Sequence, residues 1–157
     1  RQRLSEQICP VGVFVNAVPE FIAEFLNDGV IDAAQLHGSE DEVYIARLRA
    51  MTEKPLIKAF SVKSLTDLEK AERSSADLVL LDHGKGGTGE SFDWELLRHW
   101  KNRPYILAGG LSADNIAEAV RKYRPYAVDL SSSVETEGKK DREKILAAVA
   151  AVRSIAI

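Results

Sequence analysis

The sequence predicts an α/β fold of the (β/α)8-barrel (TIM-barrel) type, with barrel strands 3 to 8 lying within its 157 residues. Three observations indicate this class. Apolar strands alternate with amphipathic helices, the strands recur at nearly constant spacing, and Gly-rich or Ser-rich loops follow the later strands. Alternating strands and helices form parallel sheets with right-handed crossovers, and barrel active sites lie in the loops at the carboxyl ends of the strands.

Six apolar segments predict the strands, and one βα unit fits each interval between them. The interval after the fourth segment is the longest, as expected where a loop is enlarged for an active site. The six segments begin at Val11, Ala33, Pro55, Asp77, Pro104 and Pro125.

Helical patterns follow each predicted strand. Their apolar residues recur at the spacing of one helix face, as Phe21, Ile22 and Phe25 do in the first pattern. Ser112 has the character of an N-cap residue for the fifth. The six predicted helices span residues 18–27, 40–51, 64–73, 93–101, 112–123 and 141–154.

Six units are fewer than the eight of a closed barrel, which takes roughly 200 residues or more. The sequence begins with Arg1 rather than Met, and residues 1–9 resemble the end of a helix. We therefore expect two further βα units before Arg1, with residues 1–157 belonging to a single barrel domain that has no internal linker. A six-stranded open sheet is the alternative.

Composition limits the partners of the chain. The net charge is -3, and Lys and Arg are scattered along predicted helix faces, so nucleic-acid binding is not indicated. The apolar segment 145–152 is too short to span a bilayer, so no membrane association is expected. Cys9 is the only cysteine, which excludes an internal disulfide framework and makes a reducing, cytoplasmic setting the expectation.

Asp82 is the first candidate catalytic residue, because it is the first polar residue after the apolar run 78–81. A carboxylate at the carboxyl end of a barrel strand faces the mouth where chemistry takes place. A capping or turn aspartate is the alternative. The loop that follows contains glycines that allow tight turns or close approach to a ligand, namely Gly84, Gly86, Gly87 and Gly89.

Two further loops predict a phosphate site. Gly109 and Gly110 follow the fifth predicted strand, and Ser131 and Ser132 follow the sixth. Backbone amides in such loops and at helix N-termini bind anions. Barrels of this class build a phosphate site from the loops after their last two strands, so the order of these two loops supports one shared cradle.

Several sequence blocks resemble the phosphoribosylanthranilate isomerase family of tryptophan biosynthesis, and they occur in order along the whole chain. Each block is modestly specific, and together they favour this family. The blocks are VGVFVN at 11–16, QLHG at 35–38, LLD at 80–82, GGTG at 86–89, FDW at 92–94, AGGL at 108–111, VDLSS at 128–132, VE at 134–135 and GKKD at 138–141.

This resemblance implies a (β/α)8-barrel enzyme that uses neither a metal nor a cofactor. Its substrate would be a small phosphorylated sugar-anthranilate, N-(5'-phosphoribosyl)anthranilate. The Amadori rearrangement opens the ribose ring and yields 1-(2-carboxyphenylamino)-1-deoxyribulose 5-phosphate. A general acid must protonate the ring oxygen and a general base must remove the proton on C2'. We expect a monomer or a homodimer.

The resemblance also implies roles for particular residues. Asp82 matches the family's general acid, whereas the general base is a cysteine in a Lys-x-Cys-Gly motif that would lie before residue 1. Cys9 does not replace it and is expected to be structural. Ser133 stands where the family usually has glycine, and it would strain the serine loop if that position needs φ > 0.

Other positions that match the family's motifs contact the substrate. Gly109, Gly110, Ser131 and Ser132 would hold its phosphate, and Asp129, Gln35 and His37 are candidate substrate-binding residues. For Asp129 the alternative is a capping or loop-bracing role, and for His37 it is a structural role in the core.

Two other interpretations remain open. A sibling phosphate-binding barrel, such as indole-glycerol-phosphate synthase, shares the glycine and serine loops but relies on catalytic Lys and Glu residues, for which Lys58 is the one candidate. A non-catalytic module that binds a phosphorylated ligand is the alternative from a different class.

Overall fold

The computed structural model describes residues 4–82, 94–101 and 103–155. The predicted loop after the fourth strand, which contains Gly84, Gly86, Gly87 and Gly89, lies outside the described residues. The chain divides into two compact units. Unit 1 comprises Arg1–Phe60 and Arg73–Leu80, and unit 2 comprises Ser61–Glu72 and Leu81–Ile157. The single domain expected over residues 1–157 stays a prediction, and each unit is described by itself.

Strands and helices alternate along the chain as the sequence predicts. The strands are β1 (Val11–Phe14), β2 (Ala33–Leu36), β3 (Leu56–Ser61), β4 (Leu78–Asp82), β5 (Tyr105–Leu107), β6 (Ala127–Val128), β7 (Glu135–Thr136) and β8 (Lys139–Lys140). The α-helices are α1 (Pro19–Asn27), α2 (Glu42–Arg49), α3 (Leu65–Arg73), α4 (Ile116–Tyr123) and α5 (Arg142–Arg153). Two 3₁₀ helices span Trp94–His99 and Ser132–Val134.

The prediction of an eight-stranded barrel holding strands 3 to 8 is wrong. Within the described residues, six strands form one sheet in the order β1-β2-β3-β4-β5-β6, and β7 and β8 form a separate antiparallel hairpin. The pairs β1–β2, β2–β3 and β5–β6 are parallel. The spacing of βα units predicts how many strands follow one another. Closure depends on pairing between distant strands, which local patterns do not encode.

Unit 1 is built on an apolar layer between its strands and the helices α1 and α2. The aromatic rings of Phe14, Phe21 and Phe25 pack edge to face in this unit. The ring centroids of Phe21 and Phe25 are 4.9 Å apart. Such ring pairs add about 0.5–1.5 kcal/mol each to the burial of their area. The side chains buried completely in this core are Ile22, Leu26, Ala34, Leu36, Leu48 and Leu56.

Helix α2 begins later than its apolar pattern suggests. The Asp41 carboxylate accepts a hydrogen bond from the Tyr44 amide at 2.9 Å, which makes Asp41 the N-cap residue. The predicted helix at 40–51 therefore starts at Glu42, and Glu40 lies outside it.

Unit 2 packs α4 and the 3₁₀ helix Trp94–His99 around β5. The Tyr105 hydroxyl donates to the Tyr123 carbonyl at 2.7 Å, and Trp94 packs edge to face on the Tyr123 ring. Burial raises the pKa of Tyr105 well above its ordinary value. Leu107, Ile116 and other apolar side chains of this unit are fully buried.

The hairpin of β7 and β8 has no counterpart among the predicted elements. Glu137 and Gly138 form its two-residue turn with φ values of 51° and 73°. Positive φ at both positions is the pattern of a type I′ turn, which suits the twist of a two-stranded ribbon. The hairpin brings Lys140 next to the loop that carries Ser131.

Candidate functional site

The candidate catalytic and phosphate-binding residues of unit 2 follow the carboxyl ends of β4, β5 and β6. Asp82 ends β4, and the β5 loop begins with an Ala108 amide that bonds to the Leu81 carbonyl at 2.9 Å. The Asp129 amide bonds to the Leu107 carbonyl at 2.8 Å, directly after β6. Neighbouring strands lie about 4.8 Å apart. The carboxyl ends of the three strands therefore lie within about 10 Å of one another, two strand spacings.

Asp82 lies half-buried at this edge. Its backbone carbonyl accepts the Val62 amide at 2.8 Å, which fixes the end of β4 against the start of the segment leading to α3.

The loop after β5, called the glycine loop from here on, has a backbone conformation that favours glycine at two positions. Gly109 and Gly110 have φ values of 76° and 71°, in the left-handed region that other residues enter at a cost of about 1–2 kcal/mol. Within the described part of the chain, no acceptor occurs for the backbone amide of either glycine.

The Asn115 side chain, just before α4, is hydrogen-bonded to the glycine loop. This role was not predicted from the sequence. Its side-chain oxygen accepts the Ser112 amide at 2.9 Å, and its side-chain nitrogen donates to the Gly110 carbonyl at 2.9 Å. Because these bonds precede the helix, α4 begins at Ile116 rather than at the predicted residue 112. An Asn three residues after a Ser in a Gly-Gly loop was the available signal.

The serine loop lies beside the glycine loop, because β6 pairs with β5. Ser131 precedes the 3₁₀ helix, which begins at Ser132, and both side chains are exposed. No acceptor for the amides of Ser131 and Ser132 occurs among the described residues. Ser133 does not adopt positive φ, so the strain considered for the serine at this position does not arise.

Lys140 adds a positive charge to the serine loop and was not singled out from the sequence. Its ammonium donates to the Ser131 carbonyl at 3.0 Å and to the Glu135 carboxylate at 2.6 Å. It also lies 3.3 Å from the Ser131 hydroxyl. The hairpin therefore fastens the loop through the carbonyl and the hydroxyl of Ser131.

Asp129 is exposed at the end of β6, immediately before the serine loop. Its position fits either of the two roles considered for it, a contact to a sugar hydroxyl or a brace for the loop.

Gln35 and His37 lie in unit 1, at the carboxyl end of β2. The Gln35 side chain is buried, and its Nε2 lies 2.9 Å from Nδ1 of the half-buried His37 ring. The His37 amide donates to the Phe14 carbonyl at 2.7 Å. The structure thus brings these two predicted residues into contact with each other.

Lys58 is not placed as a free catalytic lysine. Its ammonium donates to the carbonyls of Leu36 and Gly38 and to the Glu40 carboxylate. The sibling-barrel interpretation loses the lysine on which it relied.

A cavity of about 720 Å³ lies in unit 1 beside the end of α2, lined by Asn27, Arg49 and residues 50–54. None of the candidate site residues lines it. Within the described ranges, no group of three or more His, Cys, Asp or Glu side chains is arranged to hold a metal ion. Among the described helices, none has both the length and the apolar character needed to cross a membrane.

Comparison with known proteins identifies similar sequences. A family model described as N-(5'-phosphoribosyl)anthranilate (PRA) isomerase matches residues 2–151. The chain is 48% identical over 159 residues to the N-(5'-phosphoribosyl)anthranilate isomerase of Endomicrobium trichonymphae, covering 99% of this chain and 78% of that protein. It is 46% identical over 151 residues to the enzyme of that name from Bacillus cereus strain ATCC 14579, covering 92% and 73%.

Solved structures agree with the sequence matches. The crystal structure of phosphoribosyl anthranilate isomerase from Thermus thermophilus superposes with a TM-score of 0.85 at 33% identity, covering 99% of this chain and 77% of that one. A phosphoribosyl anthranilate isomerase in complex with reduced 1-(o-carboxyphenylamino)-1-deoxyribulose 5-phosphate superposes with a TM-score of 0.79 at 32% identity, covering 97% and 75%.

Proposed function

The chain belongs to the N-(5'-phosphoribosyl)anthranilate isomerase family, and from this premise we propose how its residues carry out the family's reaction. The protein is an isomerase of tryptophan biosynthesis. It converts N-(5'-phosphoribosyl)anthranilate into 1-(2-carboxyphenylamino)-1-deoxyribulose 5-phosphate, an aldose-ketose rearrangement. In unit 2, the residues that we propose for this reaction lie at the carboxyl ends of β4, β5 and β6.

The reaction moves protons without any net oxidation. A proton delivered to the ring oxygen breaks its bond to C1' and leaves an iminium between C1' and the anthranilate nitrogen. Loss of the proton on C2' then gives an enol amine. Transfer of the enol proton to C1' completes the ketone, so substrate and product have the same atoms. The chemistry asks the protein for a general acid, a general base and a fixed phosphate.

Asp82 is the general acid in this proposal. It is a half-buried carboxyl at the end of a buried strand, and the two anion-binding loops follow the next two strands of the same edge. A substrate whose phosphate lies between those loops would place its sugar over the strand ends. This common edge is the observation that carries the proposal.

The amides of Gly109, Gly110, Ser131 and Ser132 bind the phosphate. These residues lie in the loops that follow the paired strands β5 and β6, and no acceptor for their amides occurs among the described residues. The Lys140 ammonium donates to the Ser131 carbonyl and so holds the loop, while its ion pair with Glu135 offsets its charge. An anion at this point would therefore be held by several donors at once.

Asp129, Gln35 and His37 are substrate-binding residues in the same proposal. Asp129 can accept a hydrogen bond from a sugar hydroxyl, and the His37 ring, held by Gln35, can donate one. We further propose a cytoplasmic location, since the exposed free thiol of Cys9 suits a reducing compartment, and a monomeric or homodimeric state.

The direct test compares Asp82→Asn with Asp28→Asn, which makes the same change at an exposed position after α1. Asp82→Asn should lower kcat at least ~100-fold, the usual contribution of acid–base catalysis, with KM little changed. Asp28→Asn should retain parental kinetics. Turnover by Asp82→Asn at the level of the Asp28→Asn control would remove Asp82 from the mechanism.

A further inference from the structure

Two oppositely charged side chains are buried together in unit 1. Glu40 lies between β2 and α2 and is 6% exposed, and Lys58 lies within β3 and is 5% exposed. The Lys58 ammonium and the Glu40 carboxylate are 3.0 Å apart. A buried ion pair is weak evidence of stabilisation, because removing both charges from water offsets most of their attraction. The pair therefore needs another explanation.

The Lys58 ammonium uses its hydrogen-bonding capacity on the backbone. It has three donors, and they meet the Leu36 carbonyl at 3.2 Å, the Gly38 carbonyl at 2.7 Å and the Glu40 carboxylate. An ammonium with all three donors engaged is poorly placed to serve as a base or a nucleophile. It is well placed to hold the chain on both sides of His37.

The Glu40 carboxylate accepts hydrogen bonds from backbone amides of the same loop and of the loop after β1. One carboxylate oxygen accepts the Gly38 amide at 2.9 Å, and the other accepts the Asn16 amide at 2.7 Å. Burial disfavours the charged carboxylate, yet the bonds from Asn16 and Lys58 outweigh it, so the pKa of Glu40 lies below its ordinary value. Glu40 thus stays charged and joins the loop after β1 to the loop after β2.

His37 is the residue enclosed by these bonds. The pair holds the carbonyl before it and both backbone groups of Gly38 after it, while its own amide donates to Phe14. The side-chain amide of Gln35, as oriented, donates to Nδ1 of the ring. When a neutral imidazole accepts at Nδ1, its proton resides on Nε2.

We propose that Glu40 and Lys58 are positioning residues that fix His37 so that its ring, with Nδ1 bonded to Gln35, presents Nε2–H as a hydrogen-bond donor to an oxygen of the substrate. The proposal rests on the assignment of His37 as a substrate-binding residue in the proposed function. It adds the two residues that hold the backbone and the ring nitrogen that acts.

The first measurement uses the unaltered protein and does not depend on activity. Two-dimensional ¹H–¹⁵N spectra of the histidine rings, recorded with His37→Asn for assignment, report which nitrogen carries the proton of the neutral ring. The proposal predicts Nε2–H for His37. A neutral ring with the proton on Nδ1 would overturn it.

The second measurement compares Lys58→Met with a matched control in the same unit. Arg49 also pairs with a carboxylate, that of Asp77, and also donates to backbone carbonyls, those of Thr52 and Lys54. Arg49→Met therefore removes a similar set of bonds from a loop that holds no candidate site residue.

Lys58→Met should lower kcat/KM by about 10- to 100-fold, the scale of a misplaced contact in an active site, and should broaden or shift the His37 ring signals. Arg49→Met should change neither. If Lys58→Met leaves ring signals and kcat/KM at the Arg49→Met level, the positioning role is wrong. Should Lys58→Met not fold, Glu40→Gln, which retains the shape of the side chain, is judged by the same two readouts.

The two measurements separate this inference from the function on which it rests. An inactive parent protein with the predicted His37 tautomer would contradict the proposed function alone. An active parent whose His37 signals and kinetics ignore the buried pair would contradict the inference alone.

Discussion

The loop after β2 in unit 1 differs from the two loops after β5 and β6 in unit 2 in how the backbone groups are hydrogen-bonded. In the first loop, the Gly38 amide donates to Glu40, the Ser39 amide donates to the Asn16 side chain, and the Gly38 carbonyl accepts from Lys58. In the loops of unit 2, the amides of Gly109 and Ser132 meet no acceptor in the described residues. In the loop after β2, internal hydrogen bonds hold a side chain in place. In the loops after β5 and β6, the amides are proposed to bind a ligand.

The difference teaches how buried and exposed polar groups divide the work of a binding site. Backbone groups removed from water must be paired, because an unpaired buried group costs about 1–3 kcal/mol. Exposed amides can hydrogen-bond to water when no anion is bound, so they need no partner within the protein. Rigidity is therefore expected where a side chain acts, and open amides where the backbone itself binds.

The largest expected effect comes from filling the space inside the unit 1 loop. A Cβ added at Gly38 would lie 2.9 Å from the Asn16 backbone nitrogen, and backbone cannot move aside easily. Gly38→Ala should lower the free energy of unfolding by about 2 kcal/mol, as overpacking does, and should lower kcat/KM as well.

Gly12→Ala is the matched control, because its added Cβ would meet side-chain atoms of Ile31 and Phe14 and no backbone atom among its three nearest neighbours. Urea unfolding of both variants checks the prediction. Equal losses in the two would mean that the loop is not tightly interlocked.

The charge of Glu40 gives the next effect. Its pKa is lower in the folded protein than the ordinary value of 4.5, so its stabilisation is present above that pH and is lost as the pH falls through the folded pKa. At pH 7, Glu40→Gln should be less stable by ~1.5 kcal/mol, the lower end for hydrogen bonds to a charged group. The difference from the parent should shrink below about pH 4.5. A difference that is constant between pH 7 and pH 3 would contradict the prediction.

The sequence predicted the strands of both units better than it predicted the loops. The apolar runs beginning at Val11 and Ala33 became β1 and β2. All four residues of β2 are buried, as expected for an apolar run in a parallel sheet. The closure of the sheet was wrongly predicted. Pairing between distant strands leaves no local pattern, and the regular spacing of βα units is compatible with more than one arrangement.

The site residues stay a prediction, and the structure shows only which of their local conformations the sequence could indicate. Gly109 and Gly110 could be found because their left-handed backbone favours glycine. Glu40 and Lys58 could not be paired, since they are distant in sequence and each alone fits an exposed position. Asn115 was missed because it acts before the helix whose pattern it precedes.

The third effect distinguishes backbone strain from anion binding in unit 2. Gly110 and Gly138 have nearly the same φ, 71° and 73°, so alanine at either should cost about 1 kcal/mol of stability. Only Gly110→Ala should weaken the binding of inorganic phosphate, by roughly tenfold, the equivalent of one hydrogen bond to a charged group. Calorimetric titration of both variants checks this. A similar loss of affinity in Gly138→Ala, whose added Cβ would touch nothing, would place the anion elsewhere.

The smallest effect tests the support of the glycine loop. Asn115→Ala removes the bonds to the Ser112 amide and the Gly110 carbonyl. Stability should fall by ~0.5–1 kcal/mol and phosphate affinity by a few-fold, because the loop remains but is less fixed. Asp114→Ala, at the neighbouring exposed position, is the control and should leave phosphate affinity unchanged. An Asn115→Ala variant with unchanged affinity would show that the loop holds its shape without this side chain.

The contrast between satisfied and open loops is tested most directly by titrating the ¹⁵N-labelled protein with inorganic phosphate and following backbone amide signals. The account predicts saturable shifts at Gly109, Gly110, Ser131 and Ser132. The amides of Gly38 and Ser39 should stay still, because they already donate to Glu40 and Asn16. Saturable shifts at Gly38 and Ser39, with none in the loops after β5 and β6, would contradict it.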